Sequence, residues 1–200
     1  MRMKKYNLIL IFLITGFSAI AQSGLSVKAF YGISGSSVAR KVDFIGIGYA
    51  EMNRVDEFGI LVSKSIGTKF RISSGIGYTY GEVKFSPSCP ACFMPQILYR
   101  HEKNFKMISI PVYLEYSIGK ALYFAAGPVL DFQQSEWNNF SDQSGIGYLA
   151  GIGAKVPVGD FVFSLFPNYK RHGVIPFEDS LTSNEVLQEF GLQFGVGYSF

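Results

Sequence analysis

The sequence lacks two features that would direct an interpretation at once: a long apolar run and an excess of charge. Beyond Ile14, no stretch approaches the roughly 18 apolar residues of a membrane-spanning helix. Three of the 18 basic residues lie within the first 21 positions, so the remainder carries 15 basic and 15 acidic residues. This balance excludes a basic nucleic-acid-binding surface.

The N-terminus has the layout of a secretory signal peptide. Arg2, Lys4 and Lys5 precede the apolar run 8–14, and small residues surround Ala21. The alternative, an uncleaved membrane helix, is disfavoured because the apolar run is too short for a stable anchor. We expect residues 1–21 to be the signal peptide and residues 22–200 to form one domain.

The remainder of the chain alternates with a period of two residues, which is typical of β-strands. Aromatic residues make up 16% of the sequence, charged residues another 16%, and there are 22 glycines. Large apolar residues alternate with glycine, serine and other small or polar residues in eight segments. These segments are 25–34, 58–66, 70–80, 108–117, 122–132, 145–156, 161–169 and 190–200. Residues 44–49 are interpreted as a structured loop or a strand extension.

The connectors alternate in length. Short turns fall at Gly67, Gly119 and Gly159, whereas long connectors occupy roughly 35–56, 82–103, 133–144 and 170–187. Short turns on one side and long loops on the other are typical of outer-membrane barrels. We therefore predict an all-β fold, an eight-stranded antiparallel up-and-down transmembrane β-barrel in the outer membrane of a Gram-negative cell.

A soluble, lipocalin-like carrier is the alternative with the same number of strands. In a soluble barrel the apolar faces would point inward and the polar faces would meet water. The polar faces here are dominated by glycine and serine, which suit a narrow interior better than a water-facing surface. The pattern favours the membrane barrel.

Several segments resemble the PorT-like outer-membrane β-barrel family common in Bacteroidota. They are FSAIAQ at 17–22, ISIPVYLEY at 108–116, LYFAAGP at 122–128 and the terminal segment 190–200. The resemblance implies the barrel fold and the outer membrane, and some members are linked to secretion. It carries no active-site residues. Phe200 and Tyr198 also look like the C-terminal signal that the barrel-assembly machinery reads.

Four charged residues fall on the expected lumen face, near the short-turn ends of their segments: Lys28, Arg71, Glu115 and Lys155. Buried charges need partners because an isolated one is costly to desolvate. A gate or proton path is one interpretation. A structural ion-pair plug is favoured because side chains fill eight-stranded barrels. We expect Glu115 to point inward and to contact Arg71 on the neighbouring strand.

The function that these patterns favour is non-enzymatic: a structural or partner-binding barrel of the cell envelope. The resemblance adds an association with secretion. The expected partners are outer-membrane lipid, the barrel-assembly machinery and an envelope protein, with no cofactor and no metal. The alternative is a barrel enzyme that acts on envelope lipid or peptide through His101 or His172, the only histidines. Both lie near loop bases, where a histidine is usually solvated.

The motif Cys89-Pro-Ala-Cys92 lies in a long connector. A redox site would need a thioredoxin-like βαβ context, which the sequence does not provide. A zinc site would need two more ligands, and only His101 is nearby. In an exported loop, a local disulfide between the two cysteines is the favoured interpretation.

We expect Cys89 and Cys92 to resist alkylation in protein isolated without reductant and to react after reduction. Removing the disulfide should barely change stability, because so small a loop constrains the unfolded chain little. Mass spectrometry of the alkylated protein measures both states. Two freely reactive thiols before reduction would contradict the disulfide.

Overall fold

The computed structural model is an antiparallel β-barrel, described for residues 24–40, 49–52, 54–86, 101–135, 142–177 and 185–200. The strands are β1 Leu25–Arg40, β2 Tyr49–Glu51, β3 Arg54–Ile66, β4 Phe70–Ser86, β5 His101–Ile118, β6 Leu122–Gln133, β7 Gly145–Val158, β8 Phe161–Pro176 and β9 Glu185–Ser199. Strand β2 is short and pairs with the end of β4. The other eight form a ring that the β1–β9 pairing closes, which confirms the predicted fold class. Within the described ranges, no helix has the length and apolarity needed to cross a membrane.

Three tight turns join the hairpins at one end of the barrel, at 67–69, 119–121 and 159–160. Gly67 and Gly119 have φ of 72° and 73°, in the left-handed region that favours glycine. The start of β1 and the end of β9 lie at this same end, since Ser26 pairs with Ser199. Short turns and chain termini together are typical of the periplasmic side of an outer-membrane barrel.

The outer surface of the barrel is apolar. On β3 the side chains of Phe58, Ile60 and Val62 are about half exposed, whereas the alternate residues Leu61 and Ser63 are buried inside. Equivalent apolar residues point outward on the other barrel strands. This is the opposite of a soluble carrier, so the lipocalin-like alternative is wrong. A closed barrel with an apolar exterior belongs in lipid, and the chain lies in the outer membrane.

Aromatic pairs mark the two edges of the apolar surface. Near the short turns, the rings of Phe70 and Tyr116 lie 5.2 Å apart. Towards the long connectors, Tyr169 and Phe190 lie 4.9 Å apart, and Tyr80 lies beside Phe58 at 6.5 Å. We call these edges the lower and upper girdles. On β4, the positions from Phe70 to Tyr80 match the 9–11 residues of a tilted strand that crosses the hydrocarbon layer.

The strands extend further towards the long connectors than the sequence pattern predicts. β1, β4 and β8 continue to Arg40, Ser86 and Pro176, six or seven residues past the predicted ends. Beyond the upper girdle the outward side chains face water, so the apolar alternation disappears while the backbone pairing continues. Of the segment 44–49, Tyr49 belongs to β2 and the rest lies outside the described residues.

Some lumen glycines leave space for large inward side chains. A Cβ on Gly153 would lie 2.3 Å from the ring of Tyr123, which is buried and stacked on Phe166. We expect Gly153→Ala to destabilise the barrel by about 1–3 kcal/mol, because the added methyl group would displace a ring that is packed on Phe166. Urea unfolding of the refolded protein in detergent measures this.

Gly35→Ala is the matched control, since a Cβ there meets nothing within 4 Å. Equal stability of the Gly153 and Gly35 variants would contradict the close approach of Tyr123 to β7.

Candidate functional site in the barrel lumen

The inward side chains form four layers along the barrel axis. From the short-turn end, the lower cluster consists of Lys28, Arg71, Glu115 and Lys155, and the aromatic plug follows with Phe30, Leu61, Tyr113, Tyr123, Val129, Leu149 and Phe166. The upper cluster comes next, formed by Glu57, Asp131, Lys170, His172 and Glu189. The apolar cap closes the series, formed by Met52, Val55, Val83, Phe105, Met107 and Leu187. Charged and apolar layers therefore alternate inside the barrel.

The lower cluster gathers the four charged residues that the sequence singles out. Their side chains line one small cavity at the short-turn end, together with serines of neighbouring strands. Lys28 interacts electrostatically with each of the other three. The cluster holds three cations and one carboxylate.

Glu115 points into the barrel and is 4% exposed, and its backbone pairs with Arg71 across β4 and β5. The two side chains nevertheless have other partners within the described residues. Glu115 accepts a hydrogen bond from Ser73 at 2.9 Å, whereas Arg71 donates to Ser26 and Ser65, each at 3.4 Å. The expected direct contact is thus replaced by serine hydroxyls, which can approach each charge without the long side chains having to meet.

The aromatic plug separates the lower cluster from the upper one. The ring of Phe166 stacks between Tyr123, at 5.6 Å and 19°, and Tyr113, at 6.3 Å and 20°. The cavity between the plug and the upper cluster measures about 10 Å³, which is at the lower limit of the space that one water molecule needs. The plug therefore fills the lumen near its middle.

The upper cluster begins with an ion pair between Lys170 of β8 and Glu57 of β3, both almost fully buried. Gln193 donates a second hydrogen bond to the same carboxylate at 2.8 Å. Burying such a pair costs desolvation energy, and the additional donor helps to offset it. The contact joins two strands that are not neighbours in the sheet, since β1 and β9 lie between them.

His172 is buried in the upper cluster and does not lie in a loop, so its assignment to a solvated loop base is wrong. β8 continues to Pro176. Every second residue from Phe166 onward points inward, which includes Asn168, Lys170 and His172. Its Nδ1 lies 2.8 Å from Asp131, and its Nε2 lies 3.4 Å from Glu189. The Nδ1–Asp131 contact is a hydrogen bond, whereas Nε2 and the Glu189 carboxylate lie within ion-pair distance without hydrogen-bond geometry.

Two further sets of sequence candidates are only partly described. His101 begins β5, but its side chain is outside the described residues, as are Cys89, Cys92 and the signal segment 1–21. Tyr198 and Phe200 point outward beside each other, with ring centroids 5.1 Å apart. Their role as an assembly signal stays a prediction. Among the described residues, no group of histidine, cysteine and acidic side chains could hold a metal ion.

Sequence reasoning missed the upper cluster and the apolar cap entirely. The apolar cap lies where the outward residues have become polar, and four members of the upper cluster lie just beyond the predicted ends of their segments: Glu57, Lys170, His172 and Glu189. If the two-residue alternation of β3 and β8 were extended by a few residues, it would place Glu57 and Lys170 on the lumen face.

Replacing Lys170 by methionine should destabilise the barrel by about 3–5 kcal/mol, because Glu57 would stay buried without its cation. The double variant Glu57→Gln/Lys170→Met should recover most of the loss. Urea unfolding in detergent measures all three proteins. The control is Arg54→Met, which breaks the exposed Arg54–Asp56 pair on the outer face and should change stability little. A double variant no more stable than Lys170→Met would contradict this account.

The fold resembles solved outer-membrane barrels at low sequence identity. The outer membrane protein OprG from Pseudomonas aeruginosa superimposes with a TM-score of 0.52 and 12% identity, over 90% of this chain and 97% of that one. The outer membrane protein AlkL in lipid bilayers superimposes with a TM-score of 0.49 and 13% identity, over 90% of this chain and 91% of that one. Ail of Yersinia pestis superimposes with a TM-score of 0.41 and 15% identity, over 90% of this chain and 100% of that one. No protein-family profile and no curated protein sequence matches the chain. The OprG likeness shows a shared fold: a small outer-membrane β-barrel.

Proposed function

We propose that this chain is a non-enzymatic outer-membrane barrel that binds a protein partner of the envelope through its long-connector end. The filled lumen is the observation that carries the proposal. A barrel whose described lumen leaves neither a path for solutes nor a reaction pocket contributes through its outer surfaces.

The packing of the lumen supports this view. The aromatic plug lies between two charged layers, and the apolar cap adds a further dry layer above them. The described cavities inside the barrel measure about 10 and 20 Å³. These volumes are far below the roughly 300–1,000 Å³ that is usual for small-molecule sites in proteins.

The end that carries the long connectors is the favoured binding surface. Strands β4 and β5 stay paired past the upper girdle as far as Phe85 and His101, so the connectors begin on a rigid support. Phe177 is exposed at this end and packs only partly, on Phe132 at 5.4 Å. Exposed aromatic side chains are common anchors of protein interfaces.

The alternative enzyme would use His101 or His172, and the surroundings of His172 disfavour it. The ring is 1% exposed, and each of its nitrogens faces a carboxylate. A general base needs a free nitrogen within reach of the proton that it removes. The hydroxyl group of Ser109 in this network donates to Asp131 at 2.7 Å and not to the ring.

Two finer parts of the proposal depend on the sequence. The resemblance to PorT-like barrels favours a partner in secretion across the outer membrane. The aromatic Tyr198 and Phe200 on the outward face favour recognition by the barrel-assembly machinery during insertion. The outward apolar surface supplies the contact with membrane lipid.

We expect the purified barrel to give no swelling of liposomes in arabinose, because the plug and the clusters leave no water-filled path. A general porin in the same liposomes is the positive control. Swelling that depends on the amount of barrel would contradict the sealed lumen and favour a transport function.

Partner binding is tested by a photo-crosslinking amino acid at Phe177, with Ile152 in the middle of the lipid-facing surface as the matched control. We expect one envelope protein to be crosslinked from Phe177 in intact cells and not from Ile152. Deleting that protein should reproduce the phenotype of deleting this chain. Loss of an envelope-lipid modification in a His101→Gln or His172→Gln strain with a folded barrel would favour the enzyme.

A further inference from the structure

We propose that the lower cluster is a binding site for a small monovalent anion of the size of chloride, open to the periplasm. This inference does not depend on the partner-binding role. It concerns the opposite end of the barrel and a ligand of a different class.

The charges of the lower cluster are unbalanced. Lys28, Arg71 and Lys155 face a single carboxylate, that of Glu115, and all four line one cavity. Like charges gathered in a partly desolvated space repel each other more strongly than in water. An anion among the three cations would relieve this repulsion.

The hydrogen bonds of the cations leave room for a better acceptor. Arg71 donates to two serine hydroxyls at 3.4 Å, and Lys155 donates to Ser117 at 3.3 Å. Charged donors normally approach their acceptors to about 2.7–2.9 Å. The serines therefore satisfy these cations weakly.

Tyr123 supplies a second, independent observation. Its side chain is 1% exposed and lines the same cavity, yet its hydroxyl group has no hydrogen-bond partner among the described residues. A buried hydroxyl without a partner is costly. An anion in the cavity would accept a hydrogen bond from this hydroxyl group, which gives the ligand a neutral donor beside the charged ones.

The size and position of the cavity define the ligand. Its volume of about 20 Å³ holds one water-sized species, which excludes a bound sugar or peptide side chain. Ser117 and Lys155 lie within a few residues of the periplasmic turns, so a small ion reaches the cavity from that side. The aromatic plug blocks the way beyond, and the site is an end pocket rather than a step in a conduction path.

The test compares thermal unfolding of the refolded barrel in zwitterionic detergent with sodium chloride or sodium gluconate at equal ionic strength. Equal ionic strength removes general screening, and gluconate is too large for the cavity. We expect a saturable rise of Tm in chloride and none in gluconate, because an ion that binds only the folded state stabilises it. Broadening of the ³⁵Cl NMR signal by the protein, reversed by bromide, reports binding directly.

Lys155→Gln should weaken chloride binding about tenfold, as expected for the loss of one charged hydrogen bond. Tyr123→Phe should weaken it by a smaller factor without changing any charge. The matched control is Lys120→Gln, which removes an exposed cation from a turn at the same end and should leave binding unchanged.

Glu115→Gln distinguishes the anion site from a purely structural plug. In an anion site it removes the competing negative charge, so chloride should bind more tightly and stabilise this variant more than the original protein. In a purely structural ion-pair cluster, the Glu115→Gln substitution would lower Tm equally in both salts. If this variant does not fold, Lys155→Gln decides. Equal Tm in chloride and gluconate for the unsubstituted barrel, or equal effects of Lys120→Gln and Lys155→Gln, would overturn the proposal.

Discussion

Every layer of this structure depends on one constraint: in hydrocarbon, each backbone N–H and C=O must find its partner within the protein. The β1–β9 pairing meets that demand by closing the ring. Eight strands make a narrow ring, so the lumen must be filled with side chains, and the outward positions must be apolar. Charged side chains such as those of Lys28 and Glu115 are consequently gathered inside, where glycines such as Gly195 leave space for Lys28.

The features that the sequence predicts well are those that this constraint imposes on residues close together in the sequence. The two-residue period separates the lipid face from the lumen face, and the turn glycines set the hairpin registers. From these two signals alone, Arg71 and Glu115 are expected to pair across β4 and β5 on the inner face, and they do. A one-residue slip would have placed both charges in lipid, so the register is strongly specified.

The features that the sequence does not predict are those set by side-chain contacts between strands that are not neighbours in the sheet. Glu57 meets Lys170 and Asp131 meets His172 between strands that are distant in sequence, and no spacing rule indicates such pairs. The strand ends are missed for another reason. Outside the membrane the outward residues become polar, so the alternation fades before the hydrogen-bonded ladder does. The hydroxyl of Ser73, rather than Arg71, contacts Glu115. Side-chain rotamers decide which of several neighbouring groups meet, and the sequence pattern does not predict rotamers.

The extension of the strands beyond the upper girdle gives the barrel a rigid collar. From Tyr80 to Ser86, β4 rises about 20 Å along its length, or roughly 15 Å along the membrane normal for a strand tilted by 45°. The rim of the collar thus stands clear of the phosphate layer, among the sugars that coat the cell. A molecule that touches this rim need not penetrate the lipid surface, and its position relative to the membrane is set by the height of the collar.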